Sequence, residues 1–186
     1  MKIPPEAKCV FKGIIFDVYQ WEQKMFDGST ATFEMLKRPN TLQVIAADEN
    51  YIYLGQEEQP GKGPFFSLFG GRQEPGEDPL AGAKRELLEE SGLAADDWEL
   101  LSSCQPYTKL DWTIYTYVAR NCRQVAEPTL DPGEKISRHK VTFDEFIATA
   151  VSDEFYGREL ACDILKMLHK DPALLETWRK KIFGAV

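Results

Sequence analysis

The chain has 186 residues, 43% of them hydrophobic and 28% charged, with a formal net charge of −8. That length fits one domain, or one domain with a small appendage, and the apolar content is enough to bury a real core. The acidic balance argues against non-specific nucleic-acid binding, which needs a basic surface, but permits chemistry on phosphates if a bound cation supplies positive charge locally.

Residues 9–19, CVFKGIIFDVY, are rich in branched and aromatic side chains and predict a strand. Phe26-Asp27-Gly28-Ser29 is a turn signal, Thr30 to Lys37 returns as a second strand, and Arg38-Pro39-Asn40 breaks it. Leu42 to Ala47 is an apolar run, Asp48-Glu49-Asn50 turns, and Tyr51 to Leu54 predicts a short strand. Residues 59–64, QPGKGP, predict a loop, and Phe65 to Phe69 a strand. Further on, Trp98 to Cys104 and Thr113 to Ala119 are strand-like, and an acidic segment bearing Pro and Gly spans 127–134. Thr142 and Glu145 form a capping box for a helix over about 143–151, and Ser152 onward is helical in pattern to His169. Asp171-Pro172 then opens an amphipathic helix with Leu174, Leu175, Trp178 and Ile182 on its apolar face. Strands and helices that do not strictly alternate predict an α/β protein with a mixed sheet and helices packed on it.

The four cysteines, Cys9, Cys104, Cys122 and Cys162, are scattered without CxxC or zinc-like spacing, so free thiols are expected. With His139 and His169 as the only histidines, a histidine metal site or catalytic triad is not expected. No stretch approaches the length of a membrane span, and MKIPPEAKC lacks the apolar run of a signal peptide, so a cytoplasmic protein is expected.

The most specific pattern lies in residues 71–93, GRQEPGEDPLAGAKRELLEESGL. Asp78 suits a helix N-cap and Pro79 the first helical position, where no amide hydrogen is needed. Leu80, Ala83, Leu87 and Leu88 give an apolar stripe, and Gly92 suits the left-handed residue that ends a helix. Gly71 and Gly76 flank a loop that must turn tightly. Gly82 falls inside the helix, where glycine costs roughly 1 kcal/mol against Ala, as close approach of another backbone would require. Glu86, Glu89 and Glu90, three or four residues apart, share one side of the helix. Unpaired carboxylates so placed repel one another; a divalent cation removes that cost, and hard oxygen ligands suit Mg²⁺ or Mn²⁺.

Gly71, Glu77, Arg85, Glu86, Leu87, Glu89, Glu90, Gly92 and Leu93 fill every fixed position of the Nudix box, and the chain resembles the Nudix hydrolase family. The resemblance implies an α/β/α sandwich with a mixed sheet, and metal-dependent hydrolysis of a nucleoside diphosphate linked to another moiety. By position it implies Glu86 and Glu90 as main metal ligands, Glu89 assisting, the carbonyl of Gly70 as a further ligand, and Glu77 paired with Arg85 to orient loop and helix. Most of the chain is similar to the ADP-ribose and nucleoside-diphosphate-sugar branch, with residues 1–40 an N-terminal β-hairpin region and 41–186 the Nudix domain with C-terminal helices. Phe33-Glu34-Met35-Leu36-Lys37-Arg38 resembles that branch's strand whose last Arg contacts substrate phosphates, which points to Arg38. Pro132-Gly133-Glu134-Lys135-Ile136 resembles the later segment that carries the catalytic base, which points to Glu134.

The chain departs from the branch in places. Gln59-Pro60 stands where many members have Arg-Pro, so that one phosphate contact is either missing or supplied by Lys62. Pro106 lies slightly early for the ADP-ribose group, and Tyr107 points instead to dinucleoside polyphosphates. The expected activity is therefore pyrophosphate hydrolysis of a nucleoside diphosphate sugar such as ADP-ribose. The rivals are hydrolysis of nucleoside triphosphates or dinucleoside polyphosphates, and a non-catalytic module that senses a nucleotide sugar. The apolar hairpin, Val10 to Arg38, is expected to build a homodimer. Trp21, with Phe33 second, is expected to stack on the nucleobase.

Overall fold

The computed structural model describes residues 2–184. In chain order the elements are β1 (Lys8–Lys12), β2 (Asp17–Lys24), β3 (Thr30–Lys37), β4 (Thr41–Ala47), β5 (Ile52–Gln59), β6 (Lys62–Ser67), α1 (Pro79–Ser91), β7 (Leu93–Ala94), β8 (Asp97–Cys104), β9 (Leu110–Asp111), β10 (Ile114–Arg120), β11 (Arg123–Gln124), β12 (Lys135–Val141), α2 (Phe143–Ala150), β13 (Phe155–Tyr156), α3 (Arg158–Lys170) and α4 (Ala173–Phe183).

The main sheet runs β13-β6-β5-β4-β10-β8, with β12 along β5. It is mixed: β4 with β10 and β6 with β13 are parallel, and the other pairs are antiparallel. Alternation along the strands sorts side chains onto two faces. Ile45 and Ala47 of β4 and Val118 of β10 pack with Phe143, Phe146, Leu160, Ile164 and Ile182 from α2, α3 and α4. Leu42, Val44 and Ala46 point the other way, with Tyr117 and Ala119, against Ala83 and Leu87 of α1. Helices on both faces make the expected α/β/α sandwich. After two residue pairs β4 parts from β5, and the chain following β6 bridges its remaining length, with Val44 opposite Phe69 and Thr41 opposite Arg72. The box loop starts at that parting.

The N-terminal strands form a separate sheet in the order β1-β2-β3-β9. Its fourth strand comes from the Nudix part: the amides of Leu36 and Arg38 donate to the carbonyls of Lys109 and Asp111. The expected single strand over 9–19 is broken. Gly13 donates to the Phe16 carbonyl in a turn, and a side chain on Gly13 would meet that carbonyl at 2.5 Å. The 59–64 segment is a tight turn rather than a loop, because Gly61 at φ 78° lets β5 fold back into β6. Residues 152–157 are not helical. Phe155 and Tyr156 instead add a parallel strand beside β6, with Phe155 buried.

Candidate active site

Helix α1 forms as its residues dictate. The Asp78 carboxylate accepts from the amides of Leu80 and Ala81, both at 3.0 Å, and Pro79 starts the first turn. Gly92 closes the helix at φ 67°, where a Cβ would lie 2.1 Å from the Ala126 carbonyl oxygen. Leu88 departs from the expected apolar stripe and is exposed. What approaches Gly82 is side chains rather than a neighbouring backbone: a Cβ there would lie 2.5 Å from both the Glu77 carboxylate and the Leu42 side chain.

Arg85 organises one set of acids. Its Nε donates to Glu77 at 2.9 Å, and its NH1 nitrogen donates to both Glu86 and Glu89 at 2.9 Å. These bonds lower the Glu77 carboxyl below its ordinary value and raise the Arg85 guanidinium. Glu89, nearly half exposed, is held by Arg85 at the outer side and does not line the cleft that Glu86 and Glu90 share.

That cleft, of about 490 Å³, lies between α1, the box loop, β5 and the loop before β12, and Glu57, Glu86, Glu90 and Glu134 all face it. Glu90 is 6% exposed, and its carboxylate accepts the Gly70 amide at 2.7 Å. Burial pushes this carboxyl up to about 9, against the Gly70 bond and with the help of the Glu57, Glu86 and Glu134 charges. Burial likewise raises Glu57, against the Ser67 hydroxyl that donates to it, and Glu86, against Arg85. The amides of Leu42 and Val44 donate to the carbonyls of Gly71 and Phe69. The Gly70 carbonyl between them receives no hydrogen bond among the described residues. Gly71 leaves room for the Glu86 carboxylate, whose oxygens would lie 2.6 Å from a Cβ there.

A divalent cation fits this donor set. The donors are hard oxygens, burial disfavours their unpaired charge, and Glu57, Glu90 and Glu134 have no ion-pair partner among the described residues. Among those residues no three acidic, histidine or cysteine side chains form a ready-made cage for a metal. Arg85 holds Glu86 by an ion pair at 2.9 Å.

A second cleft of about 550 Å³ adjoins the first, and the two share Thr41, Gln43, Gly70, Gly71, Arg72 and Tyr156. Arg38, Arg72 and Lys62 line it, and none makes an ion pair among the described residues. The Arg38 guanidinium lies 4.7 Å from the centre of the Trp112 ring, its Nε is buried without a partner, and burial lowers its ordinary value. Tyr107 lies parallel to Trp112, with centroids 6.1 Å apart and 7° between the planes. Trp112 is fixed by donating to Thr41 Oγ1 at 3.0 Å. The Lys62 ammonium nests between Phe65 and Tyr156, at 3.3 and 3.8 Å from the ring centres.

The structure thus brings Glu86, Glu90, Glu134 and Gly70 together, with Arg38 next door. It does not bring Trp21, Phe33 or Glu34 to either cleft within one chain. Trp21, expected to stack on the nucleobase, is 8% exposed, because it packs against Phe33 at 5.2 Å and donates to Gln23. Glu34 instead accepts from Gln20 on the hairpin surface. Glu57, Arg72, Trp112 and Tyr156 were not singled out by sequence. Glu57 had one signal: on β5 it alternates with Glu58, so only one of that adjacent pair can face the cleft.

A Nudix-type sandwich that sets box carboxylates beside a basic, aromatic cleft defines the class. The NUDIX domain family matches residues 36–158, and the chain belongs to this family as a Nudix hydrolase. It is 25% identical over 158 residues to the ADP-ribose pyrophosphatase of Bacillus subtilis (strain 168), covering 82% of this chain and 84% of that protein. It is 29% identical over 144 residues to the methanol dehydrogenase activator of Bacillus methanolicus, covering 75% and 78%. The crystal structure of an ADP compounds hydrolase shares the fold with a TM-score of 0.74 at 17% identity, covering 98% of this chain and 95% of that one.

Proposed function

We propose that the protein hydrolyses the pyrophosphate bond of a nucleoside diphosphate sugar such as ADP-ribose, with Mg²⁺ or Mn²⁺, giving a nucleoside monophosphate and a sugar phosphate. The carrying observation is the junction of the two clefts: unpaired carboxylates on one side, unpaired cations and stacked aromatics on the other, with Arg72 and Gly70 common to both. A pyrophosphate bridging that junction meets each kind of group it needs. The B. subtilis relative carries the name of this activity.

Glu86, Glu90 and the Gly70 carbonyl would hold the metal, which supplies charge neutralisation on phosphoryl oxygens and an acidified water. Arg38 and Arg72 orient the phosphates as charge-assisted donors. Glu134 stands on the opposite wall, at the head of β12, and takes the proton from the attacking water. Glu77 positions rather than reacts, since it is spent on Arg85 and on the Glu74 amide. Trp112 and Tyr107 offer an aromatic surface to the base within the same chain, whereas Trp21 and Phe33 would serve only from the hairpin of a second copy.

A homodimer through the N-terminal sheet belongs to the same reading, because Val10, Phe11, Ile14 and Ile15 present apolar surface to solvent. Four free cysteines support a cytoplasmic setting. Among the described residues no helix is long and apolar enough to cross a membrane. The presence of Tyr107 in the aromatic cleft favours dinucleoside polyphosphates as the second substrate class. Turnover of ADP-, GDP- and UDP-sugars, dinucleoside polyphosphates and triphosphates with Mg²⁺, products read by ³¹P NMR, decides. Hydrolysis of triphosphates alone, or of nothing, overturns the proposal.

A further inference from the structure

We infer that Glu57 is a metal ligand of this centre, delivered by β5 from outside the box; the inference rests on the hydrolase reading above. In the β5–β6 register Gly55 faces Ser67 and Glu57 faces Phe65. The Ser67 hydroxyl donates to the Glu57 carboxylate, so this side chain lies on the cleft face of the sheet. Glu58 alternates to the other face, where it pairs with exposed Lys135 at 2.7 Å.

The charge accounting around the cleft separates two groups of acids. Arg85 answers Glu77, Glu86 and Glu89. Glu57, Glu90 and Glu134 share the cleft with no ion-pair partner among the described residues. Lys62, the ammonium placed to answer Glu57, is turned onto the Phe65 and Tyr156 rings. A hydroxyl from Ser67 is thus the principal compensation for a sheltered carboxylate, and that does not offset the loss of hydration. Glutamate is also a poor strand former, and an apolar residue would pack better between Phe65 and Ile136, its cross-strand neighbours. A cation at the cleft removes the penalty. An ion of the Mg²⁺ class takes six oxygens. The helix and box loop offer Glu86, Glu90 and Gly70, and Glu57 adds a charged oxygen from the facing wall.

The competing role for Glu57 is structural, as an acceptor that ties Ser67 and so joins β5 to β6. Glu57→Gln keeps an acceptor of the same shape and removes the charge, which separates the two. Mn²⁺ binding to the full chain is titrated by electron paramagnetic resonance and calorimetry, with melting followed by circular dichroism. Expected is a tenfold or larger rise in the Mn²⁺ dissociation constant, or loss of one bound ion, in Glu57→Gln at unchanged Tm. Glu58→Gln, which removes the same charge one residue away, should bind as the wild type does. Should Glu57→Gln fail to fold, Glu57→Met, of similar volume, carries the same readout. Wild-type Mn²⁺ affinity and stoichiometry in the folded variant, alongside weakened binding in Glu90→Gln, would overturn the Glu57 assignment and leave the hydrolase reading standing. A wild-type protein that binds no Mn²⁺ at millimolar concentration and cleaves no substrate would overturn both.

Discussion

Arg85 and Glu77, eight residues apart in sequence, are joined by two hydrogen bonds: Nε to one carboxylate oxygen at 2.9 Å, and the NH2 nitrogen to the other at 3.2 Å. Glu77 also accepts the Glu74 amide at 2.9 Å, and Gln73 donates to the Glu77 carbonyl at 2.7 Å. One guanidinium therefore ties the box loop to α1 while it neutralises Glu86 and Glu89. Such a fork needs the planar geometry of Arg, which Lys cannot reproduce.

Arg85→Ala leaves three carboxylates without their cation. Because the Arg85 side chain is 28% exposed, solvent screens part of the loss. A destabilisation of about 2 kcal/mol is expected, read as a fall in Tm of roughly 4–8 °C by differential scanning calorimetry. Arg85→Lys should recover less than half. An unchanged Tm in Arg85→Ala would show that the network holds nothing together.

Under the proposed function Glu134 takes the proton from the attacking water. Its backbone amide donates to Asp131 and its carboxylate accepts the Asp131 amide, so a turn sets it at the cleft without enclosing it. Glu134→Gln should lower kcat by about 10²–10⁴-fold if it acts as general base, with KM and Tm close to wild type. A kcat within twofold of wild type would return the proton to a box carboxylate.

Far from the cleft, Asp48 closes the turn between β4 and β5. Its carboxylate accepts from the amides of Asn50 and Tyr51 at 3.0 and 2.8 Å, from Tyr53 at 2.9 Å and from Lys140 at 2.9 Å. Burial pushes the carboxyl up, but these bonds outweigh it and hold it at about 2, below the ordinary 3.8. A carboxyl held low in the fold contributes stability above its unfolded value, and that contribution disappears as pH falls through the folded one. Asp48→Asn should therefore cost about 1–2 kcal/mol near neutrality, after allowance for partial exposure. The gap to wild type should close between about pH 4 and pH 2 in urea melts. A gap that stays constant over that range would mean the loss is steric.

Much of the site was legible because the box concentrates its constraints in one contiguous helix. Asp78, Pro79, Gly92 and the Glu86–Glu90 spacing each have a local physical meaning, and all four are found as expected. Glu57, Arg72 and Trp112 were less legible because each is brought to the cleft by a strand register or a cross-chain bond that no local pattern announces. Glu57 depends on the β5–β6 register, Arg72 on its bridge to Thr41, and Trp112 on a bond to Thr41, 71 residues away. Trp21 was misplaced for the opposite reason. Its charged sequence neighbours alternate to the other face of β2, and its real neighbour, Phe33, lies across the strand pair. The segment 152–157 departs from the expected helix because Phe155 is buried by tertiary pairing with β6 rather than by a helical face.

The aromatic surface proposed for the base gives the last prediction. The Trp112 ring has the Arg38 guanidinium 4.7 Å from its centre and the parallel ring of Tyr107, which is 54% exposed, 6.1 Å away. A planar base laid on this stack extends it and leaves the phosphates beside Arg38 and Arg72. Stacking on an aromatic is worth roughly 1–3 kcal/mol per base, and a tenfold change in affinity corresponds to about 1.4 kcal/mol. Trp112→Ala should therefore raise KM for an ADP-sugar at least tenfold, while Trp112→Phe, which keeps a ring and loses only the bond to Thr41, should change it less. Trp21→Ala should lower Tm, since it opens a cavity beside Phe33, without a tenfold change in KM. Measured at matched oligomeric state, the reverse pattern, with KM raised by Trp21→Ala and not by Trp112→Ala, would move the platform to the hairpin of a second copy and refute the assignment to Trp112.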